Sequence, residues 1–412
     1  KHLSSEVKYK ILSSFDNLDE ITDGVLIKSD NFQALNTILP KYKGLIDLIY
    51  IDPPFNTGSD FAYKDKFQDS TWLTLMENRL TLSKDLLSDK GSFYLHLDYN
   101  ANYIGRELLN STYGIENFKN EIVWCYTGPT NQKNNFPRKH DSIMLFSKSD
   151  NAYFFSDEVR VPFVKSMKSG GKTSLAGRKE DSFLEELDKK GKVIEDWWSD
   201  IADMGKLHQE GIGFKTQKPE KLLQRIIKAS SKKQSLIMDF FSGSGTTINT
   251  AHKLGRKWIG VEMGNHFETV NIPRIKKTLS GLITGISKEL EKENTLKKGG
   301  IVKYYELETY EDVLSKAQYS LDKDSLIDLY QSEKLATDKV ISKEKDNVNL
   351  NINEIYNDID IFETISNTTG FKIKKLYENR CIFLDGDKEV EIKKDELLFS
   401  EYPFLRKLIW WR

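Results

Sequence analysis

Cysteine is nearly absent from this chain of 412 residues: Cys125 and Cys381 are the whole supply, and they form no CxxC pair. That count speaks against a disulfide framework, and six scattered histidines outline no metal cluster. Two ordinary reduced thiols suit a cytoplasmic protein. No apolar run is long enough to span a bilayer, so no membrane is expected. The first residues lack the charged, apolar and small-residue order of a secretory leader. The chain opens at Lys1 rather than Met, as processing or trimming of a native start would leave it. A surplus of one charge sign is missing too. With 61 Lys and Arg against 62 Asp and Glu, a nucleic-acid partner would need the basic residues gathered on one face.

What is there suffices for a core. Hydrophobic residues make up 38% and aromatics 11%, which argues against a disordered chain, and the length suggests two or three domains. Leu45 to Ile51, Ser235 to Phe240 and Trp258 to Glu262 are short branched-residue runs that read as buried parallel strands. Ser92 to Leu97, Glu121 to Tyr126 and Ser142 to Phe146 are further strand candidates. Trp72 to Leu87 and Pro219 to Ala229 show helical spacing, the second opening on a first-turn proline. Strand–helix alternation predicts an α/β doubly wound sheet. Ser147 to Gly213 is polar, irregular and lysine-rich, the pattern of an inserted functional region. After Ile275 the alternation ends. Ile286 to Glu293 reads as a charged helix, Val302 to Glu306 as a strand, and the rest as a helix-and-strand tail. No internal repeat is found.

Asp52-Pro53-Pro54-Phe55-Asn56-Thr57-Gly58 follows the first strand directly. Two prolines at a strand end fix the backbone and leave carbonyls without ladder partners. An amine acting as a nucleophile needs acceptors for its two hydrogens, which frees its lone pair. The Asp52 carboxylate and the Pro53 carbonyl are candidates, with Phe55 able to stack on a planar substrate. The four residues taken alone fit equally a rigid turn with a core phenylalanine. The run Asp239-Phe240-Phe241-Ser242-Gly243-Ser244-Gly245-Thr246-Thr247 leaves a second strand and opens a helix. Its glycines permit close backbone approach, and a helix N-terminus favours an anion such as a carboxylate. No lysine follows the second glycine, so it is not a phosphate loop, and the spacing is not that of a dinucleotide fingerprint. Glu262, one strand later, is placed as an acid that holds ribose hydroxyls in a Rossmann-like sheet. A tight strand-to-helix turn is the plainer reading.

Taken together, IDPPFNTGSDFAYKDKF, GFKTQKPEKLLQRII and DFFSGSGTT followed by GRKWIGVE resemble the beta group of DNA amino-methyltransferases, above all the Mod subunits of Type III restriction–modification systems. The resemblance covers roughly residues 20 to 275, and a looser one extends into the tail from GGIVKYYELETYED. In that group the catalytic motif precedes the cofactor motif and a target-recognition segment lies between them, the order seen here. The resemblance implies a Rossmann-like S-adenosylmethionine-dependent methyltransferase sheet with permuted motif order, an inserted target-recognition region and a C-terminal α+β tail domain. The corresponding parts are 1–146 (catalytic), 147–213 (target recognition), 214–280 (cofactor-binding) and 281–412 (C-terminal).

Residue by residue, it implies Asp52, Pro53, Pro54 and Phe55 at the target amine and base. It implies Asp239, Phe241, Ser242, Gly243, Ser244, Gly245 and Thr246 around S-adenosylmethionine, with Glu262 on its ribose. Thr216, Gln217 and Lys218 would close over the methionine end, and Asp30 would lie near the adenine, although an Asp before a helix is as often an N-cap. Members usually carry Tyr where this chain has Phe55; stacking needs only the ring. An Asp at the first motif position fits adenine better than cytosine.

The implied activity is site-specific N6 methylation of a flipped-out adenine in double-stranded DNA, by the modification subunit of a restriction–modification system. Cytosine N4 methylation, or a recognition subunit that guides a nuclease, are the alternatives. Implied partners are a second copy, as a homodimer, and a restriction nuclease–translocase subunit. Lys133, Arg138, Lys139 and His140 in NQKNNFPRKH, and Lys165, Lys168, Lys172 and Arg178 in the insertion, are candidates to grip phosphates; a solvated surface would look the same. Trp197-Trp198 reads as structural more than base-stacking, and His96 as a core histidine or a supporting group. Ile409-Trp410-Trp411 suggests burial in a partner or in the tail.

Overall fold

The computed structural model describes residues 4–55, 69–128, 132–162, 190–207, 209–307, 341–344, 347–350 and 360–394. Strand β1 is Thr22–Lys28, β2 Ile46–Ile51, β3 Leu87–Leu97, β4 Phe118–Cys125 and β5 His140–Ser147. A two-stranded ribbon follows, β6 (Arg160–Val161) with β7 (Lys192–Val193), then β8 (Trp197–Trp198), β9 (Leu236–Asp239), β10 (Lys257–Glu262) and β11 (Ile301–Glu306). Nine of these form one sheet in the order β11-β1-β10-β9-β2-β3-β5-β4-β8. Its centre is parallel, and β5 runs antiparallel to both β3 and β4.

Both faces of the sheet are covered, which is why its strands read as continuous apolar runs. In β2, Ile49 and Ile51 turn to one face and Leu48 and Tyr50 to the other. The first face packs helices Asn31–Tyr42, Asp69–Leu86 and Asn102–Tyr113 through Leu35, Trp72, Met76, Leu80 and Leu109. The second packs Glu220–Ser230, Thr246–Lys253 and Ile272–Leu279 through Leu222, Ile226, Ile248 and Ile275. Each fully buried Leu or Ile contributes roughly 1.5–3 kcal/mol. The fold is therefore α/β and doubly wound, as expected.

Three features escaped the sequence pattern. Strand β1 contains Asp23-Gly24, which looks like a turn; glycine is needed because a Cβ there would lie 2.1 Å from Trp258 Cε2. The antiparallel direction of β5 is not written in its composition. From the region read as an insertion, Trp197 and Trp198 add an edge strand beside Val123 and Trp124, and Trp198 and Ile201 enter the core.

In the tail, helix Ile361–Thr369 packs on a three-stranded antiparallel sheet of β14 (Lys372–Leu376), β15 (Arg380–Asp385) and β16 (Lys388–Lys393), numbered after the pair β12 (Ile341–Glu344) and β13 (Asn347–Leu350). Tyr9, Leu12, Phe15 and Leu18 of the N-terminal segment join that small core. Among the described residues no helix is long and apolar enough to cross a membrane.

Candidate active site

Strands β9 and β2 are neighbours, although some 190 residues separate them in the chain. The chain leaves β9 for helix Thr246–Lys253 on one face and continues after β2 to helix Asp69–Leu86 on the other. A crevice therefore opens at their carboxyl ends, the place where open α/β sheets bind ligands. A cavity of about 320 Å³ occupies it. Its walls combine Leu75, Phe214, Phe240, Phe241 and Val261 with the carboxylates of Asp30, Asp52, Asp239 and Glu262.

At the β2 end, Trp72 Nε1 donates to the Pro54 carbonyl over 2.8 Å and pins the proline turn. Asp52 Oδ2 pairs with Lys218 Nζ at 2.6 Å, while Asp52 Oδ1 is buried with no hydrogen-bond partner. Lys218 Nζ also lies 5.0 Å from the centre of the Phe55 ring. Beneath Phe55 sits His96, with ring centres 5.9 Å apart. His96 is fully buried between Tyr50 Oη at 2.7 Å and Asp141 Oδ2 at 3.0 Å, and Tyr126 donates to Asp141 Oδ1. Burial and the Asp52 charge push the Tyr50 hydroxyl well above its ordinary range. The His96 contact holds the Asp141 carboxyl below its own range against desolvation.

At the β9 end, Gly243 and Gly245 adopt φ of 49° and 75°, the left-handed region that favours glycine. Glu262 spans the loop: Oε2 accepts from Gly243 N at 2.8 Å and Oε1 from Gly264 N at 2.9 Å. Asp239 is buried, accepts from Phe241 N at 3.0 Å, and is pushed up to about 7 by desolvation. Asp30 caps helix Asn31–Tyr42 through Phe32 N and Gln33 N. Its second oxygen takes Arg79 at 3.0 Å.

The DNA methylase family matches residues 46–272, from the strand that leads into Asp52 to the segment beyond Glu262. The chain belongs to the DNA methylase family.

Relatives of this DNA methylase agree in kind. It is 27% identical over 411 residues to a probable type III restriction-modification enzyme HindVI Mod subunit of Haemophilus influenzae, covering 70% of this chain and 54% of that one. It is 31% identical over 231 residues to the type II methyltransferase M1.MboII of Moraxella bovis, covering 54% and 86%. It is 29% identical over 238 residues to the DNA adenine methyltransferase YhdJ of Escherichia coli, covering 56% and 76%. The chain spans about half the length of the Haemophilus Mod subunit.

Of the residues singled out from sequence, Asp30, Asp52, Pro54, Thr216, Lys218, Asp239, Phe241, Ser242, Gly243, Ser244, Thr246 and Glu262 line the one cavity. Gln217 instead closes its own loop, donating to the Glu210 carbonyl and accepting from Ile212 N. Gly245 faces Asn271 and Asn249 rather than the cavity. Pro53 and Phe55 flank the cavity without lining it. Lys133, Arg138 and Lys139 lie on the β4–β5 loop and His140 opens β5, all at the same carboxyl end of the sheet, with Arg138 stacked 3.7 Å from the Tyr99 ring centre. Asn56, Thr57, Gly58, Lys165, Lys168, Lys172, Arg178 and Ile409-Trp410-Trp411 fall outside the described residues. Sequence reasoning missed Arg79, Tyr50 and Arg274. No local motif marks them; only packing brings them to the site. Phe214, within GFKTQKPEKLLQRII, also lines the cavity, and a lone aromatic in a sequence does not distinguish a ligand wall from a core.

Proposed function

We propose that this DNA methylase is a site-specific adenine N6 methyltransferase that uses S-adenosylmethionine and acts as the modification subunit of a restriction–modification system. One observation carries the reading: the Asp52 turn and the glycine loop with Glu262 share a single cavity. The residues fit the cofactor by their chemistry. Apolar walls suit an adenine ring, Glu262 and Asp30 suit hydroxyl and amino donors, and the glycine loop opens a helix N-terminus toward a carboxylate. When bound, S-adenosylmethionine supplies a methyl group on a sulfonium centre.

The chain's own residues do the rest. Asp52 and the Pro53 carbonyl accept the two hydrogens of the exocyclic amine, which directs its lone pair outward. The Phe55 ring stacks on the flipped base. Trp72 holds the turn rigid, so no reorganisation is needed as charge develops. Lys133, Arg138, Lys139 and His140, with the lysines of the insertion, grip backbone phosphates of double-stranded DNA, and the insertion (147–213) reads the site. The protein works in the cytoplasm as a homodimer, with a restriction nuclease–translocase as a further partner.

Mass spectrometry of nucleosides from DNA treated with the protein and S-adenosylmethionine tests this. N6-methyladenine is expected, and Asp52→Ala is expected to abolish it while DNA binding persists. N4-methylcytosine as the product would refute the adenine assignment, and no methylated base with any DNA would sink the whole reading.

A further inference from the structure

Sequence resemblance groups Lys218 with the residues that close over the cofactor, but its ammonium is spent elsewhere. Nζ lies 2.6 Å from Asp52 Oδ2, both side chains are largely buried, and the same nitrogen lies over the Phe55 ring at 5.0 Å. The other oxygen, Asp52 Oδ1, is buried with no hydrogen-bond partner. A buried acceptor left open costs free energy unless something pairs with it. We infer that Lys218 is a positioning residue for methyl transfer: it ties down Oδ2 and leaves Oδ1 as the carboxylate oxygen presented to the target amine, beside the Pro53 carbonyl.

The two oxygens then have separate duties, one structural and one facing substrate. Both oxygens of a carboxylate are acceptors only while it is ionised, since protonation places a donor hydrogen on one of them. Asp239 at the end of β9 and Glu262 at the end of β10 are acids of the same cavity. Tyr50 of its own strand and Asp141 of β5 complete the set, with His96 of β3 between them. Among the described residues Lys218 is the cation in direct contact with Asp52, and removing a cation from beside a buried carboxylate favours the protonated form. The turn that carries Lys218 is itself anchored. Glu220, two residues on, is buried and takes both Lys253 Nζ at 2.8 Å and Arg274 at 3.1 Å.

This inference rests on the methyltransferase reading above, and the test separates the two. Methyl transfer to DNA is measured for the unsubstituted protein, Lys218→Met and Lys218→Arg between about pH 6 and pH 9.5, alongside S-adenosylmethionine affinity by calorimetry. Lys218→Met is expected to lose kcat on the order of 100-fold, the scale of removing one preorganised electrostatic contact, with both KM values and the cofactor Kd within about threefold. Its pH–rate profile is expected to move alkaline relative to the unsubstituted protein, and Lys218→Arg to restore both rate and profile. A loss of rate with an unmoved profile, or a folded Lys218→Arg as impaired as Lys218→Met, overturns the inference and leaves the enzyme reading intact. A cofactor Kd raised more than about tenfold with kcat preserved overturns it in favour of a cofactor clamp. If the unsubstituted protein methylates no DNA, the reading falls and the inference with it.

Discussion

Asp239 shows how one residue can be legible in role and opaque in state. Its place at the end of a buried strand, just before a glycine loop, is plain in the sequence. That its carboxyl is pushed up to about 7 follows from complete burial, only partly offset by hydrogen bonds from Phe241 N and Thr247. The sign of the consequence is definite. Between the ordinary carboxylate range and about pH 7 the folded protein holds a proton that the unfolded chain has released, so stability falls as pH rises through that window. Asp239→Asn cannot ionise and still accepts from Phe241 N, so it should flatten this dependence and be more stable than the unsubstituted protein at pH 8, by roughly a few kcal/mol. Melting temperatures from about pH 5 to pH 8 check this, and parallel curves for the two proteins would contradict it.

Among elements, the turn from β9 into helix Thr246–Lys253 is tightly constrained. Gly245 sits at φ 75°, and a Cβ there would lie 2.6 Å from Asn271 Oδ1. Asn271 cannot simply move away, because its Nδ2 donates to the Gly243 carbonyl over 2.7 Å. Gly245→Ala should therefore cost about 1–2 kcal/mol in backbone strain alone and displace the loop. Denaturant titration should show the first effect, and weaker S-adenosylmethionine binding in calorimetry the second; unchanged affinity would separate the glycine from the site. Arg274 braces the loop from the next helix, donating to the Ser244 carbonyl at 3.0 Å and to Thr246 Oγ1 at 2.9 Å while bonded to Glu220. The glycine loop and the Lys218 turn thus share one buried ion cluster. Gly245 was visible as part of a motif, whereas Glu220 and Arg274, 54 residues apart, look like ordinary surface charges until the fold buries them.

Across the whole molecule, a second buried cluster joins the tail to the main sheet. Lys41 pairs with Asp19 at 2.8 Å and donates to Ser366 Oγ at 2.7 Å, while Lys303 of β11 bridges Asp19 and Glu363. These opposite charges hold the Asp19 carboxyl well below its usual range and Lys303 well above. Removing one partner of such a buried set strands a charge, so Glu363→Ala should cost about 3 kcal/mol. Urea denaturation reads that loss, and limited proteolysis should then cut near residue 360; a variant within about 0.5 kcal/mol of the parent would refute the linkage. The cluster joins residues far apart in the chain, because β11 pairs with β1 and the N-terminal segment packs on the tail. Local order alone marked strands β2, β3, β4, β5, β9, β10 and β11, the helices over Asp69–Leu86 and Glu220–Ser230, the proline turn and the glycine loop, but not β1 or β8, since apolar period and turn chemistry are properties of neighbouring residues. Tertiary structure decided that β9 lies beside β2, that Lys218 faces Asp52 rather than the cofactor loop, and that burial pushes the Asp239 carboxyl up to about 7. Each depends on which distant groups are packed together and how far water is excluded, and a chain read in order does not carry that information.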